Sequence, residues 1–251
     1  MIEQLTDLPP GDTPRQRRSR RARLRAFLAD PSRRRRALLL LAGLTLLVVG
    51  GLAVLVRLFS VLSIDLWATR ELQEYQRTLL LQTMYGVSLF GYQPWSVVTV
   101  AVGTLSIGLW LGWRVGGYLL ALTVAQGLAN VAIKLAVGRP RPVSSLVEVL
   151  VPERGNSFPS GHVMFYTVFF GMLAFLIWTH MHRPRLRWSA VIPCLCLVLL
   201  VGPSRMLLGS HWLSDVLAAY LLGVVILALG IEGYVSWLVP QTFAEQEKMD
   251  T

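Results

Sequence analysis

The sequence predicts an all-α fold: an integral membrane bundle of six transmembrane helices with both termini in the cytoplasm. Three features predict it: the composition of the chain, the length of its apolar stretches and the position of its positive charges. Of 251 residues, 54% are apolar and 15% are charged, whereas about a quarter of the residues of soluble domains are charged. This composition favours a membrane protein over a soluble globular domain.

Six apolar stretches approach the roughly 20 residues that a helix needs to cross the core of a bilayer. They cover residues 37–56, 94–113, 116–134, 162–179, 188–204 and 215–236. The first is longer than the roughly 7–15 apolar residues of a signal peptide, so we expect a retained anchor. The chain then divides into an Arg-rich cytoplasmic tail (1–36), which we expect to be disordered, a six-span membrane domain (37–236) and a short cytoplasmic tail (237–251).

Positive charge is concentrated ahead of the first apolar stretch and predicts the orientation. Eleven arginines lie between Arg15 and Arg36 in a chain of net charge +10, and by the positive-inside rule they keep the N-terminus in the cytoplasm. Six crossings return the C-terminus to that side, where the basic loop 180–187 also falls. We interpret the tail as a topology signal that contacts anionic membrane lipids, and we expect no nucleic-acid partner.

The longer connections between spans fall outside in this topology. In segment 57–93, Leu72, Tyr75 and Leu79 share one helical face, which is typical of a helix lying in the membrane interface. Segment 135–161 is rich in Pro, Gly and Ser, which predicts an ordered loop.

The predicted outer segments, including a short turn over 205–214, carry ionisable residues beside the ends of the spans. Lys134 and Arg141 lie in KLAVGRPRP, Ser160, Gly161 and His162 in NSFPSGH, and Arg205, His211 and Asp215 in GPSRMLLGSHWLSD. Ionisable residues near a bilayer are costly and are functional candidates by default. We therefore expect these three segments to form one site on the outer face of the membrane.

These residue types suit the binding of a phosphoryl group. One lysine and two arginines can neutralise the charge on its oxygens. Ser160 and Gly161 stand where a helix begins, and the free backbone N–H groups there favour an anion. Glycine also lets the backbone approach the ligand closely.

Two histidines in different segments add a nucleophile and an acid. His211 and Asp215 are four residues apart, so the carboxylate can accept a hydrogen bond from one ring nitrogen on a helical turn. The other nitrogen is then free to attack phosphorus. His162 is available to protonate the leaving oxygen.

Each motif alone has a simpler explanation. Lys134 and Arg141 could bind lipid headgroups, and residues 160–162 could cap a helix. His211 and Asp215 could form a structural pair or half of a metal site.

A metal or other cofactor is not expected. The remaining histidines, His180 and His182, fall on the predicted cytoplasmic side, so a zinc site would lack ligands. We interpret Arg139, Glu153 and Arg154 as solvated charges within reach of lipid headgroups.

Taken together, the three motifs resemble the signature of the type 2 phosphatidic acid phosphatase superfamily, which also includes the vanadium haloperoxidases. The matching residues are Lys134 with six residues before Arg141-Pro142, then Pro159-Ser160-Gly161-His162, then Ser204-Arg205 with five residues before His211 and three before Asp215. The resemblance covers 82 residues directly, from Lys134 to Asp215. It implies a helical membrane bundle with its site near the membrane surface.

The resemblance also implies a metal-independent phosphatase that passes through a phosphohistidine. By position, His211 resembles the nucleophile, Asp215 its orienting partner and His162 the acid for the leaving group. The residues that resemble the phosphate pocket are Lys134, Arg141, Ser160, Gly161 and Arg205.

The leading hypothesis is a membrane phosphatase acting on a lipid phosphate or diphosphate at the outer leaflet. Resemblance to small bacterial members favours undecaprenyl diphosphate, with phosphatidic acid or phosphatidylglycerol phosphate close behind. Two other classes stay open: a non-catalytic lipid-phosphate binder or transporter, and a vanadate-dependent haloperoxidase, against which the six apolar spans argue. The expected partners are the lipid substrate and membrane lipids, and the oligomeric state is left open.

Overall fold

The computed structural model describes residues 30–75 and 77–238, and every regular element in these ranges is helical. The helices are α1 (Pro31–Leu58), α2 (Ser63–Glu74), α3 (Thr78–Leu89), α4 (Trp95–Leu111), α5 (Trp113–Val137), α6 (Gly161–His180), α7 (Pro184–Leu207) and α8 (Leu213–Gly233), followed by a π-helical turn, Tyr234–Leu238. Most of the two predicted tails, 1–36 and 237–251, lies outside the described residues. The chain divides into two compact units, Met1–Leu44 and Thr45–Thr251.

The start of α1 lies within the predicted Arg-rich tail. Asp30 Oδ1 accepts hydrogen bonds from the backbone N–H groups of Ser32 (2.9 Å) and Arg33 (3.2 Å), and Pro31 occupies the first helical position. A carboxylate cap followed by proline is a strong helix start. The helix therefore begins ahead of the apolar stretch that predicts it.

Within residues 30–75 and 77–238, five helices are long and apolar enough to cross a membrane: α1, α5, α6, α7 and, with the turn after it, α8. Helix α4 is apolar but has 17 residues. The all-helical prediction is confirmed, and six helices occupy the positions of the six predicted stretches. Six crossings and two cytoplasmic termini remain predictions.

Segment 57–93 forms two helices rather than one interface helix. Helix α2 ends at Glu74, so Leu72 and Leu79 belong to different helices and their predicted common face is broken. Helix α2 instead buries the polar residues Asp65 and Thr69 completely. Helix α3 packs against α7, where the Ser88 and Ser204 hydroxyls lie 2.6 Å apart.

Helix α6 forms the centre of the bundle, in contact with α5, α7 and α8. Its fully buried residues include Val163, Met164, Tyr166, Val168, Met172 and Leu176. Such a helix is apolar on every face because neighbours cover most of its circumference. Its N-terminal end is thereby held rigidly, and this end carries the PSGH motif.

The predicted loop 135–161 and the predicted turn 205–214 differ in how closely the structure matches their bounds. Residues 138–160 form no helix or strand, as the composition of 135–161 predicts. The predicted turn 205–214 is shorter, because α7 continues to Leu207 and contains Arg205. Gly209, at φ +68°, ends the helix in the left-handed conformation that glycine adopts without strain.

Candidate active site

The three motif segments converge at one end of the helical bundle. They surround a cavity of about 800 Å³ whose lining includes Lys134, Arg141, Gly161, His162 and His211. The other three predicted residues, Ser160, Arg205 and Asp215, are buried beside it. The structure thus brings together all eight residues that the sequence singles out.

The two ring nitrogens of His211 have different partners. Nδ1 lies 3.4 Å from Asp215 Oδ2, and Nε2 lies 3.1 Å from Arg141 Nη1. A guanidinium can only donate, so Nε2 accepts and the ring proton resides on Nδ1, facing the carboxylate. Burial lowers the pKa of His211 to about 4, against a smaller opposing effect of Asp215. The imidazole is therefore neutral near pH 7, with its lone pair on Nε2.

Asp215 is held by the start of α8 and by the loop. Oδ2 accepts hydrogen bonds from the backbone N–H of Trp212 (3.0 Å) and from the Ser157 hydroxyl. Asp215 is the third residue of α8, where a carboxylate that reaches back to the N-cap forms a capping box. The same interaction that starts the helix therefore orients the carboxylate toward His211.

Arg139 is buried, so its interpretation as a solvated charge is wrong. Nη1 lies 2.5 Å from Asp215 Oδ1, and Nη2 lies 2.5 Å from Asp65 Oδ2, with all three side chains fully buried. Nε donates to the Ser60 carbonyl at 3.0 Å. A charge removed from water is stable only when it is paired, and here one cation lies between two carboxylates.

Glu153 also differs from the expected solvated charge. Oε2 lies 2.9 Å from Arg141 Nη1, and Oε1 forms an ion pair with Arg205 Nη2. The side chain is only 18% exposed. The two arginines of the expected phosphate pocket thus hold an anion already, in the form of this carboxylate.

The turn between α3 and α4 covers the site from a part of the chain that the motifs do not include. The Tyr92 hydroxyl accepts a hydrogen bond from Arg205 Nη1, and the Tyr92 ring lies edge-on to His162 with centroids 4.7 Å apart. A Cβ atom added at Gly91 would overlap the His162 ring. Sequence reasoning missed both residues, because neither carries a charge.

Two buried polar atoms of the PSGH motif have no hydrogen-bond partner among the described residues: Ser160 Oγ and His162 Nε2. Ser160 occupies the N-cap position of α6, but its hydroxyl makes no capping bond, so the helix-cap explanation does not account for it. Buried polar atoms are normally paired. These two unpaired atoms therefore mark the start of α6, where His162 lines the cavity and Ser160 is buried beside it.

The Lys134 ammonium is held by the loop that precedes α6. Nζ donates to the carbonyl oxygens of Asn156 (2.6 Å) and Ser157 (3.2 Å), and the Asn156 amide donates back to the Lys134 carbonyl (2.8 Å). This arrangement fixes one cation at the rim of the cavity. Within the described ranges, no group of three or more His, Cys, Asp or Glu residues is placed to hold a metal ion.

Comparison with known proteins identifies the relatives of this chain. Residues 114–237 match the PAP2 superfamily. Lipid A 1-phosphatase from Rhizobium etli is 33% identical over 122 residues, which are 46% of this chain and 48% of that protein. Phosphatidylglycerophosphatase B from Bacillus subtilis is 27% identical over 162 residues, which are 62% of this chain and 75% of that protein. The chain thus spans about half the length of the lipid A 1-phosphatases that it matches.

Two solved structures share the fold. The transmembrane PAP2 type phosphatidylglycerolphosphate phosphatase from Bacillus subtilis superposes with a TM-score of 0.65 at 24% identity, over 74% of this chain and 92% of that one. Aquifex aeolicus LpxE gives a TM-score of 0.55 at 18% identity, over 69% and 98% of the two chains. These likenesses, together with the long apolar helices, support a membrane protein. On its signature residues and the match over 114–237, the chain belongs to the PAP2 superfamily.

Proposed function

We propose that the chain is a phosphatase that hydrolyses a lipid phosphate or diphosphate through a phosphohistidine, without a metal ion. One observation carries the proposal. His211 and His162 line the same cavity, and His162 Nε2 and the neighbouring Ser160 Oγ have no partner among the described residues. A nucleophile, a proton donor and a phosphate-binding hydroxyl therefore lie together at one end of the cavity.

The phosphoryl group binds where the cations converge. Lys134, Arg141 and Arg205 neutralise its oxygens, and the Ser160 hydroxyl and the first N–H groups of α6 complete the pocket. The carboxylate of Glu153, which now lies between the two arginines, marks this position as one that holds an anion.

The first chemical step transfers the phosphoryl group to His211. Its Nε2 attacks phosphorus while the P–O bond to the lipid breaks. His162, cationic beside the bound phosphate, donates its Nε2 proton to the leaving oxygen and becomes neutral. The ring of His211 becomes cationic, and the carboxylate of Asp215, which faces Nδ1, offsets that charge.

The second step releases inorganic phosphate. A water molecule attacks the phosphohistidine with its oxygen. His162, now deprotonated at Nε2, accepts a proton from that water molecule. The P–N bond breaks, and the bonding electrons return to His211 Nε2. Both histidines then regain their starting protonation states.

The walls of the cavity support the proposal of a lipid substrate. Away from the histidines its lining is largely apolar, and four of the lining residues are about half exposed: Val97, Leu105, Val124 and Val131. These side chains belong to α4 and α5, so the cavity reaches the apolar surface of the two helices. A headgroup can thus bind at the histidines while its chains remain in the bilayer. We place the site on the extracytoplasmic side, as the Arg-rich tail predicts.

The decisive experiment measures phosphate release by the detergent-purified protein from undecaprenyl diphosphate, phosphatidic acid and phosphatidylglycerol phosphate in parallel. We expect release in the presence of EDTA, inhibition by vanadate, and loss of roughly 10³-fold or more in His211→Ala. Strict dependence on a divalent metal ion would contradict the proposed mechanism. Lipid binding without release by the folded protein would favour the non-catalytic binder.

A further inference from the structure

Helix α5 carries a stripe of polar side chains that leads away from the histidines. Thr123, Gln126, Asn130 and Lys134 are spaced by three, four and four residues, so they share one face of the helix, and all four line the cavity. At a rise of about 1.5 Å per residue, Gln126 lies roughly 12 Å along the helix axis from Lys134. The stripe therefore extends from the phosphate pocket toward the interior of the bilayer.

Most side chains of this stripe already have a hydrogen-bond partner in the protein. Thr123 donates to the Leu119 carbonyl at 2.8 Å, and the Asn130 amide donates to the Pro159 carbonyl at 3.3 Å. Gln126 is the exception: its side chain has no hydrogen-bond partner within the described part of the chain, the residue is only 3% exposed, and it lines the cavity. Its amide atoms are not fully enclosed by protein, so they face the cavity, and an amide without a partner is unfavourable beside an apolar wall.

The opposite wall of the cavity adds polar groups near its mouth. Gln93 precedes α4 and Ser96 lies in its first turn, and both line the cavity. Helices α4 and α5 pack against each other and run antiparallel across the single residue Gly112. The start of α4 therefore lies near the outer half of α5, which contains Gln126. A ligand that enters between these helices meets hydrogen-bonding groups before it reaches the deeper apolar wall at Leu105 and Leu120.

We infer that Gln126 recognises an acyl carbonyl of the substrate, so that the enzyme acts on phosphorylated lipids with ester- or amide-linked chains. In such lipids the carbonyls lie a few bonds beyond the phosphate, whereas a polyprenyl diphosphate offers only carbon and hydrogen beyond its second phosphate. An isoprenoid would leave the Gln126 amide unpaired, and an acyl lipid would satisfy it. The inference rests on the proposed function and departs from undecaprenyl diphosphate, which resemblance alone favours.

The test compares two substrates that differ only in the carbonyls: diacyl phosphatidic acid and its dialkyl ether analogue with equal chains. We expect the wild-type protein to hydrolyse the ester with a kcat/KM about tenfold higher, in line with the loss of one buried hydrogen bond. Gln126→Met, which keeps length and removes both polar atoms, should lower activity on the ester to the level of the ether. Activity on the ether should stay unchanged.

Two further variants serve as controls. Val124→Leu changes the same wall without changing its polarity, so it should affect both lipids equally. Ser96→Ala removes a hydroxyl from the opposite wall and tests the ester preference independently if Gln126→Met does not fold. Equal hydrolysis of ester and ether by the wild type, or an equal loss on both in Gln126→Met, would overturn the inference while leaving the proposed phosphatase intact.

A binding measurement separates this inference from the chemistry. In His211→Ala protein, thermal stabilisation by the two lipids should still favour the ester, because Gln126 does not depend on the nucleophile. If neither lipid is hydrolysed by the wild type, the proposed function fails for these substrates, and the binding preference alone decides the role of Gln126. Equal stabilisation by both lipids would then exclude it.

Discussion

Arg139 Nη2 lies 2.5 Å from Asp65 Oδ2, with both side chains fully excluded from solvent. The same guanidinium contacts Asp215 at 2.5 Å, and the Ser214 hydroxyl donates to Asp65 Oδ2 at 2.8 Å. Helix α2, which lies outside residues 114–237 that match the superfamily, is thereby linked to the carboxylate that orients His211. The guanidinium of Arg139 therefore stabilises the charges of Asp215 and Asp65 at the same time.

The Asp65–Arg139 pair is expected to stabilise the fold as well as the site. Arg139→Ala leaves two buried carboxylates without their cation and should destabilise the protein by about 3–5 kcal/mol. Asp65→Asn keeps the contact between Arg139 and Asp215, so its effect should be smaller. Thermal unfolding in detergent measures both, and the double variant Asp65→Asn/Arg139→Ala should lose less than the sum of the single changes. Additive losses would show that the two residues are not coupled.

Glu153 is expected to compete with anions for the two arginines. Glu153→Gln removes the negative charge from the pocket but keeps the size of the side chain, so vanadate and inorganic phosphate should inhibit at roughly tenfold lower concentration. Glu148→Gln is the matched control, because this exposed carboxylate does not line the cavity. An unchanged or weaker inhibition in Glu153→Gln would mean that the carboxylate does not occupy the anion position.

The acid limb of the pH profile is expected to lie far below the ordinary pKa of histidine. Burial lowers the pKa of His211 to about 4, and the charges of Arg141 and Lys134 also act downward. The attacking form is the neutral ring, which is present above that pKa, so kcat/KM should fall as the pH drops through about 4. Arg141→Gln should move this limb upward. A limb near 6.5 that moves with neither Arg141→Gln nor Asp215→Asn would contradict the assignment to His211.

The same pKa has a consequence for stability. The unfolded chain binds a proton at His211 near its ordinary pKa of 6.5, whereas the folded protein binds it only near 4. Between these values the unfolded state holds more protons, so the free energy of unfolding should decrease as the pH falls through this window. His211→Gln should reduce that slope in thermal unfolding measured from pH 7 to pH 4.

Gly91 is expected to be essential for the position of His162. A Cβ atom at Gly91 would overlap the imidazole, so Gly91→Ala must displace that ring and should lower kcat by roughly 10²-fold. Gly86→Ala, also near the end of α3, is the control, because no atom lies within 4 Å of its added Cβ. Wild-type kcat in Gly91→Ala would show that the ring adjusts without loss.

The orientation of the site can be measured by cysteine labelling. In a background with Cys194 and Cys196 replaced by Ser, a cysteine at the exposed position Ser145 should react with an impermeant maleimide on intact cells. A cysteine at His182, exposed in the basic loop 180–187, should react only after lysis. The reverse pattern would overturn the predicted topology.

The sequence by itself determined the helical membrane class and predicted the eight residues of the candidate site, because both predictions rest on local patterns. Apolar stretches of about 20 residues identify helices without reference to any other part of the chain. The spacing of His211 from Asp215 places the two side chains on one helical turn before any tertiary contact is known.

The tertiary structure alone showed the contacts of Arg139, Glu153 and Gly91 and the position of Gln126 in the cavity wall. Arg139 contacts an aspartate 74 residues away, and Glu153 contacts Arg205 52 residues away. A charged residue in a loop looks the same in sequence whether water or a carboxylate surrounds it. Packing in the folded protein removes the water around such a side chain. The free energy of the buried group then depends on whether it has an ion-pair or hydrogen-bond partner.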